Sequence, residues 1–335
     1  MKKLMNRPQD FVDEMLDGLV AAHPSLERDG ENGRVIRRAQ SAAASVKTKV
    51  GIVSGGGSGH LPLFTGYVGN GLLDSCSIGN VFEGPTVGSC MDAIKFANRG
   101  QGVLRLYGNY GGDRMNFDMA GELLEDEIRT TTVLGTDDIA SAGAEERGKR
   151  RGVAGIIYAY KAAGAAAEAG GDLETVSTVA QRTVDMTRTI GVALSPCQVP
   201  GAHRPSFILG EDEIEMGMGI HGEPGIWRDR LKPANAIIDE MIERLLADRP
   251  QGAGSKLSIL LNSLGATPLE ELFILYRRAV QKLSEAGIQI VQPLVGHFAT
   301  SMEMAGVSVS LCFADAEIEQ LLAAPASCPF WTVRS

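Results

Sequence analysis

Short apolar runs that stop at glycine- or aspartate-rich segments, separated by longer amphipathic stretches, set the rhythm of this chain. Residues 8–22 predict a helix, with Pro8 in its first turn and Phe11, Met15, Leu19 and Val20 near one face. A polar stretch follows from Glu27 to Arg34. A strand-like run, Val50-Gly-Ile-Val53, then ends in Ser54-Gly-Gly-Gly-Ser-Gly-His60. Val103–Tyr107 ends in Gly108-Asn-Tyr-Gly-Gly-Asp113, and Thr131–Leu134 ends in Gly135-Thr-Asp-Asp138. Helices are predicted between these runs, including 116–124 and the alanine-rich 154–169. The pattern restarts with strands at 190–194, 257–262, 288–292 and 307–312 and helices at 232–247 and 268–286. Thr267 is the expected N-cap of the second helix and Pro268 its first residue. Strands alternating with helices predict an α/β class: two α/β domains, 1–187 and 188–335, each a sheet flanked by helices. No internal repeat is visible.

Length and charge narrow the class. A chain of 335 residues suits two domains, and 44% hydrophobic content suits buried cores. The formal net charge of -9 leaves no basic excess for nucleic-acid phosphates. The basic knot Arg147-Gly-Lys-Arg-Arg151 reads as a solvated surface turn. Cysteines 76, 90, 197, 312 and 328 are odd in number and scattered, which fits a reducing compartment better than a disulfide framework. Asp10, Asp13 and Glu14 interrupt any apolar stretch after Lys2 and Lys3, and no run approaches the ~20 apolar residues of a membrane helix. The expected location is the cytoplasm.

Three segments carry candidate chemistry. Gly55-Gly-Gly-Ser-Gly-His60 follows a strand, and its glycines Gly56, Gly57 and Gly59 with Ser58 would let backbone N–H groups converge on an oxygen-rich ligand. It lacks the Lys-Ser/Thr ending of a phosphate-binding Walker loop, and four glycines in five residues exceed the needs of a tight turn. Gly108–Asp113 also follows a strand, where α/β sheets collect their ligands. Asp113 is either a group that joins His60 in activating a hydroxyl or the cap of the helix at 116–124, and both can hold. In Met216-Gly-Met-Gly-Ile-His-Gly-Glu-Pro-Gly225 the glycines satisfy GxGxxG, but Glu223-Pro224 argues against a dinucleotide-type helix start. His221 lies beside glycine on a loop, a setting for a site or for a structural histidine. His23, His203 and His297 have no such setting and read as structural. Asn262–Pro268 reads as architecture or an interface, and Asp137-Asp138 as a helix cap ahead of 139–146 rather than a metal site.

In this order, these segments resemble the K-type, substrate-binding subunit of dihydroxyacetone kinases. The similarity takes in the Met-Lys-Lys-Leu start, Ser54–Pro62, Gly108–Asp113, Arg150–Ala154, Pro205–Phe207, Gly217–Gly225 and Leu264–Pro268. The resemblance implies a homodimer of two-domain α/β subunits. It implies that His221 adds to a substrate ketone to form a hemiaminal, that His60 and Asp113 act on the hydroxyl receiving the phosphoryl group, and that backbone around Gly57 contacts substrate. A ketone is electrophilic enough for a neutral imidazole to trap, whereas a polyol offers no such carbon. Two departures stand out: Leu61 where the family often has glutamate, and Gly108 where it often has a substrate-contacting lysine. The lost side chain is expected to leave space for a larger ketose such as erythrulose. No nucleotide-binding L-type domain follows Ser335, so the expectation is a separate L-type partner carrying ATP or ADP with magnesium, and no cofactor or metal on this chain. The alternative is a ketose sensor of the same fold that regulates through a partner without catalysis.

Overall fold

The protein, seen in a computed structural model, is described for residues 2–28, 33–39 and 48–334; part of the polar stretch 27–34 lies outside them. Helix α1 (Phe11–Ala22) buries Val12, Leu16 and Leu19, with Phe11, Met15 and Val20 packed at the edge of the same core. The first sheet contains β1 (Leu26–Arg28), β2 (Val35–Arg38), β3 (Lys49–Ser58), β4 (Ser75–Val81), β5 (Gly100–Gly108) and β6 (Thr130–Gly135). Their order is β1-β2-β4-β3-β5-β6, parallel from β4 to β6 and antiparallel at the β1-β2 edge. Side chains alternate between faces. Val53, Val103 and Tyr107 meet α2 (Val87–Ala97) and α3 (Gly111–Leu123), while Ile52, Leu104 and Leu106 face the core of α4 (Ile156–Glu168) and α5 (Leu173–Asp185).

The second sheet is built differently. Its strands are β7 (Thr187–Ala193), β8 (Glu213–Met216), β9 (Trp227–Arg230), β10 (Lys256–Ser263), β11 (Gln289–Ile290), β12 (Leu294–Gly296) and β13 (Gly306–Phe313). The order is β11-β10-β13-β7-β8-β9, with β12 also on β10, and every neighbour from β10 to β9 is antiparallel. Helices α6 (Ala234–Ala247) and α7 (Leu269–Glu285) bury Ile238, Met241, Leu272 and Ala279 against it. Helix α8 (Ala316–Ala323) and the short pair β14 (Ala326–Ser327) and β15 (Thr332–Val333) complete the chain.

Helix α4 links the two sheets. Every residue from Ile156 to Ala167 is buried, including Lys161, whose ammonium donates to the Leu321 carbonyl. Tyr160 shares a 2.7 Å hydrogen bond with Ser54 of β3, and the Ser258 hydroxyl of β10 donates to Tyr158 at 3.0 Å. The alanines and Gly164 allow this close approach: a Cβ at 164 would stand 2.2 Å from the carbonyl of Gly71.

Several expectations need correction. Strand β3 does not end at Val53 but runs through Ser54 and the glycines to Ser58. The 288–292 strand is only Gln289–Ile290, followed by separate β12, and α3 opens at Gly111 rather than 116. Pro268, not Thr267, is the N-cap of α7; the Thr267 hydroxyl instead donates to the Gly306 carbonyl and accepts its N–H. Asp137 caps nothing ahead of 139–146: its carboxylate accepts the backbone N–H groups of Val153 and Gly155, downstream. Asp138 does accept the N–H of Ala140, and it also takes the Arg151 guanidinium.

The basic knot is a solvated turn only in part: Arg147, Gly148 and Lys149 are exposed, but the two arginines that follow turn inward. Arg150 is buried, and its guanidinium grips the Asp248 carboxylate at 2.6 and 2.9 Å, while Arg188 of β7 donates to the same carboxylate at 2.6 Å. This clamp ties the segment before α4 to the end of α6. Asp248→Ala strands two buried arginines and is expected to cost about 3–5 kcal/mol of stability, read as a lower denaturant midpoint with an unchanged slope.

Candidate functional site

The three singled-out segments meet on one side of the first sheet. The glycines of β3 serve packing rather than loop freedom. A Cβ at Gly56 would lie 2.2 Å from Phe64, and one at Gly57 would lie 2.9 Å from the backbone of Phe82 and Glu83. The Phe64 ring and the Phe82 backbone therefore approach the strand, and His60 sits between the two phenylalanine rings. The His60 ring stacks on Phe82 at 5.0 Å and meets Phe64 edge-on at 6.3 Å. Phe82 itself adopts φ 63°, a left-handed conformation costly for a bulky side chain. Gly56→Ala is expected to push Phe64 off its seat, at about 1–3 kcal/mol, read as a lower denaturant midpoint.

His60 is fully buried, and its Nδ1–H donates to the Thr300 carbonyl at 2.7 Å. The Thr300 and Met302 N–H groups in turn bind the carbonyls of His60 and Gly59, so the β12–β13 connection holds the turn in place. Burial, reinforced by the charge of His221, pushes His60 down to about 3.

His221 comes from the other half of the chain. The β8–β9 hairpin closes on a glycine-rich loop, where Gly217 and Gly222 take φ 81° and 83°, open to glycine without strain. The His221 Nε2 lies 2.9 Å from His60 Nε2. Rings of Phe82 and Tyr110 pack against it at 5.2 and 5.0 Å. Glu223, two residues on, accepts the His221 backbone N–H at 2.9 Å through Oε2 and faces Nδ1 at 3.3 Å through Oε1. Gly219 makes room for this carboxylate, since a Cβ there would stand 2.2 Å from Oε2. Arg151 lies 3.6 Å from Glu223 and is anchored on Asp138 at 2.9 Å. Although burial opposes it, the contacts with His221 and Arg151 hold the Glu223 carboxyl down to about 2.

Asp113 lies in the first turn of α3 without capping it. The carboxylate is buried, its Oδ1 has no hydrogen-bond partner, and burial raises it to about 7, with the charge of His221 pulling the other way. A buried carboxyl that titrates near neutral pH is a candidate general base. Gly84 faces Oδ1, and a Cβ there would come within 2.5 Å. The space expected over Gly108 is not open: the Tyr110 ring lies across it, 3.2 Å from where a Cβ would stand, with its hydroxyl buried and unpartnered.

The sequence reading thus named His60, Asp113 and His221 but missed Phe82, Tyr110, Arg151, Thr300 and Glu223. Of these, Glu223, Tyr110 and Arg151 lay inside segments singled out in the sequence, whereas Phe82 and Thr300 carried no signal. His203 and His297 are exposed, and His23 packs beside Phe330, 5.9 Å away. Among the described residues no group of three His, Cys, Asp or Glu could hold a metal ion, and no helix is long and apolar enough to cross a membrane.

Comparison with known proteins matches the Dak1 domain over residues 17–330, and the chain belongs to the Dak1 family. It is 42% identical, over 99% of its length and all of the relative's, to the dihydroxyacetone-binding subunit DhaK of PTS-dependent dihydroxyacetone kinase 2 from Listeria innocua. It is also 42% identical to an L-erythrulose kinase of Pectobacterium atrosepticum, over 98% of this chain but 56% of that longer protein. Among solved structures, the dihydroxyacetone kinase of C. freundii aligns with TM-score 0.89 at 30% identity, covering 99% of this chain and 60% of that one. A dihydroxyacetone kinase operon co-activator, DhaQ, aligns with TM-score 0.87 at 34% identity, over 95% and 98% of the two chains.

Proposed function

We propose that this chain is the ketose-binding subunit of a dihydroxyacetone-type kinase. It holds dihydroxyacetone or a tetrulose such as erythrulose as a hemiaminal on His221 and presents a terminal hydroxyl to a phosphoryl donor. The observation carrying this reading is the 2.9 Å approach of His221 Nε2 to His60 Nε2, with the orphaned Asp113 carboxylate on the same site. One imidazole nitrogen can bond the ketone carbon while the second imidazole moves the proton, and Asp113 accepts the proton of the attacking hydroxyl. Covalent capture gives selectivity for a carbonyl over a polyol and fixes the hydroxyl for in-line transfer, where positioning does most of the work. Gly56, Gly57, Ser58, Gly59 and Gly108 line the approach through their backbones.

The donor is a separate L-type subunit carrying ATP or ADP with magnesium. The C. freundii kinase, whose chain extends well beyond the part matched here, has been solved with AMP-PNP and Mg2+, which supports a nucleotide site outside this fold. The subunit acts in the cytoplasm as a homodimer. Tetruloses remain in the proposal because of the similarity to erythrulose kinases, not because of room over Gly108.

The resemblance to the co-activator DhaQ supports a second reading, a ketose sensor that does not catalyse. Mixing the purified chain with an L-type subunit, ATP and magnesium separates the two. Ketose phosphate forming at a rate that depends on this chain supports the kinase; ketose adduct without any phosphate ester supports the sensor.

A further inference from the structure

The hydrogen bonds of the histidine pair fix its proton count. His60 Nδ1 faces a carbonyl oxygen at 2.7 Å, so it must carry a proton. Neutral His60 then has only a lone pair at Nε2, and a nitrogen 2.9 Å away must donate to it. That nitrogen is His221 Nε2, which is therefore protonated. At the far side, His221 Nδ1 faces Glu223 Oε1 at 3.3 Å, and a lone pair there would be repelled by the carboxylate. Three N–H groups on two rings amount to one positive charge. Placing it on His60 is opposed by complete burial between Phe64 and Phe82, whereas His221 has a carboxylate beside it.

We infer that His221 rests as an imidazolium paired with Glu223, and that its Nε2 proton becomes the hydroxyl proton of the ketose adduct, so that capture neither takes up nor releases a proton. This rests on the covalent reading above. His221 Nε2 gives its proton to His60 Nε2, and the freed lone pair forms the bond to the ketone carbon. The C=O electron pair moves onto oxygen, which takes the proton from His60. The product is an Nε2-alkylated imidazolium that keeps Nδ1–H on Glu223, next to a carbinol OH. Charge is the same before and after, and Glu223 is the counter-ion throughout. Glu223 is thus a positioning residue: it fixes the ring orientation, keeps Nδ1 protonated, and makes Nε2 the nucleophile.

The charged groups around His221 are consistent with this. From the β3 side comes His60, from α3 Asp113 and from its own loop Glu223. From the segment before α4 comes Arg151, held by Asp138 and turned toward Glu223 rather than the ring. Tyr110 and Phe82 supply aromatic walls without charge.

The test is calorimetric titration with dihydroxyacetone, and separately L-erythrulose, at pH 7 in two buffers of different ionisation enthalpy. The wild-type chain is expected to show no net proton uptake. In Glu223→Gln both the resting pair and the adduct lose their counter-ion, and the proton lost from the ring balances the one gained by the alkoxide, so capture stays proton-neutral. There, 15N-histidine NMR of the free chains at pH 7 should instead show both His221 ring nitrogens protonated in the wild type and only one in the variant. Uptake of one proton by the wild-type chain overturns the inference, and this count decides even should the variant fail to fold. A free wild-type chain in which only one His221 ring nitrogen is protonated at pH 7 overturns it as well. Intact-mass measurement on the same samples keeps the two readings apart: no adduct on the wild-type chain removes the covalent reading itself, whereas an adduct formed with the wrong proton count removes only the role of Glu223.

Discussion

His221→Ala is expected to lose both the ketose adduct and turnover. Intact mass spectrometry of the native chain incubated with its ketose should show a gain of one ketose, absent in the variant. Kinase turnover with the L-type subunit should fall by at least ~10²–10³-fold, because fixing reactants in attack geometry can supply ~7–11 kcal/mol of a barrier and the variant no longer fixes the hydroxyl. The fold should survive. The ring is partly exposed and carried by a hairpin loop whose backbone is tied down independently, by Gly225 N–H to Glu215 and Ile226 N–H to the Met216 carbonyl. Unchanged turnover in His221→Ala would show that the covalent step is dispensable.

Asp113→Asn separates capture from transfer. The adduct should persist, and turnover should drop about 10²–10⁴-fold, the usual contribution of a positioned general base. The native pH profile should rise with pH and level off above about 7, since the base acts as the carboxylate and burial raises Asp113 to about 7. The same shift has a stability consequence of defined sign. A folded-state value above the ordinary 3.8 means that the native chain binds the proton more tightly than the unfolded chain. Stability is therefore lost as pH rises from about 4 to about 7, and Asn at this position removes that loss. Asp113→Asn should be a more stable but far less active protein at neutral pH, compared by denaturant midpoints at pH 5 and pH 8.

What the sequence disclosed and what it hid follow from the range of each interaction. His60, Asp113 and His221 were legible as candidates because each lies in or at the end of a glycine-rich segment, a local feature, while their roles came from the resemblance carried by the segments together. The path of β3 was not. Glycine ordinarily weakens a strand, yet here Gly55, Gly56 and Gly57 remain in it because Ser77, Phe117, Phe64, Phe82 and Glu83 press against their backbone from elsewhere. Arg150 reads as a surface charge until Asp248, 98 residues later, receives it. The second sheet's antiparallel order escaped for the same reason: apolar runs at 257–262 and 307–312 mark strands but carry no direction. Glu223 was visible, but only the closed loop, with Gly219 clearing the way, turns its carboxylate onto the histidine.

The central claim is a bond between one nitrogen and one carbon, and isotopes report on it directly. The chain is labelled with 15N-histidine and saturated with ketose carrying 13C at the carbonyl. Carbon NMR is then expected to show the carbonyl signal replaced by that of a tetrahedral carbon, split by a one-bond coupling to nitrogen that is missing in His221→Ala. A bound ketose that keeps its carbonyl signal, or a tetrahedral carbon uncoupled to histidine nitrogen, would contradict the account.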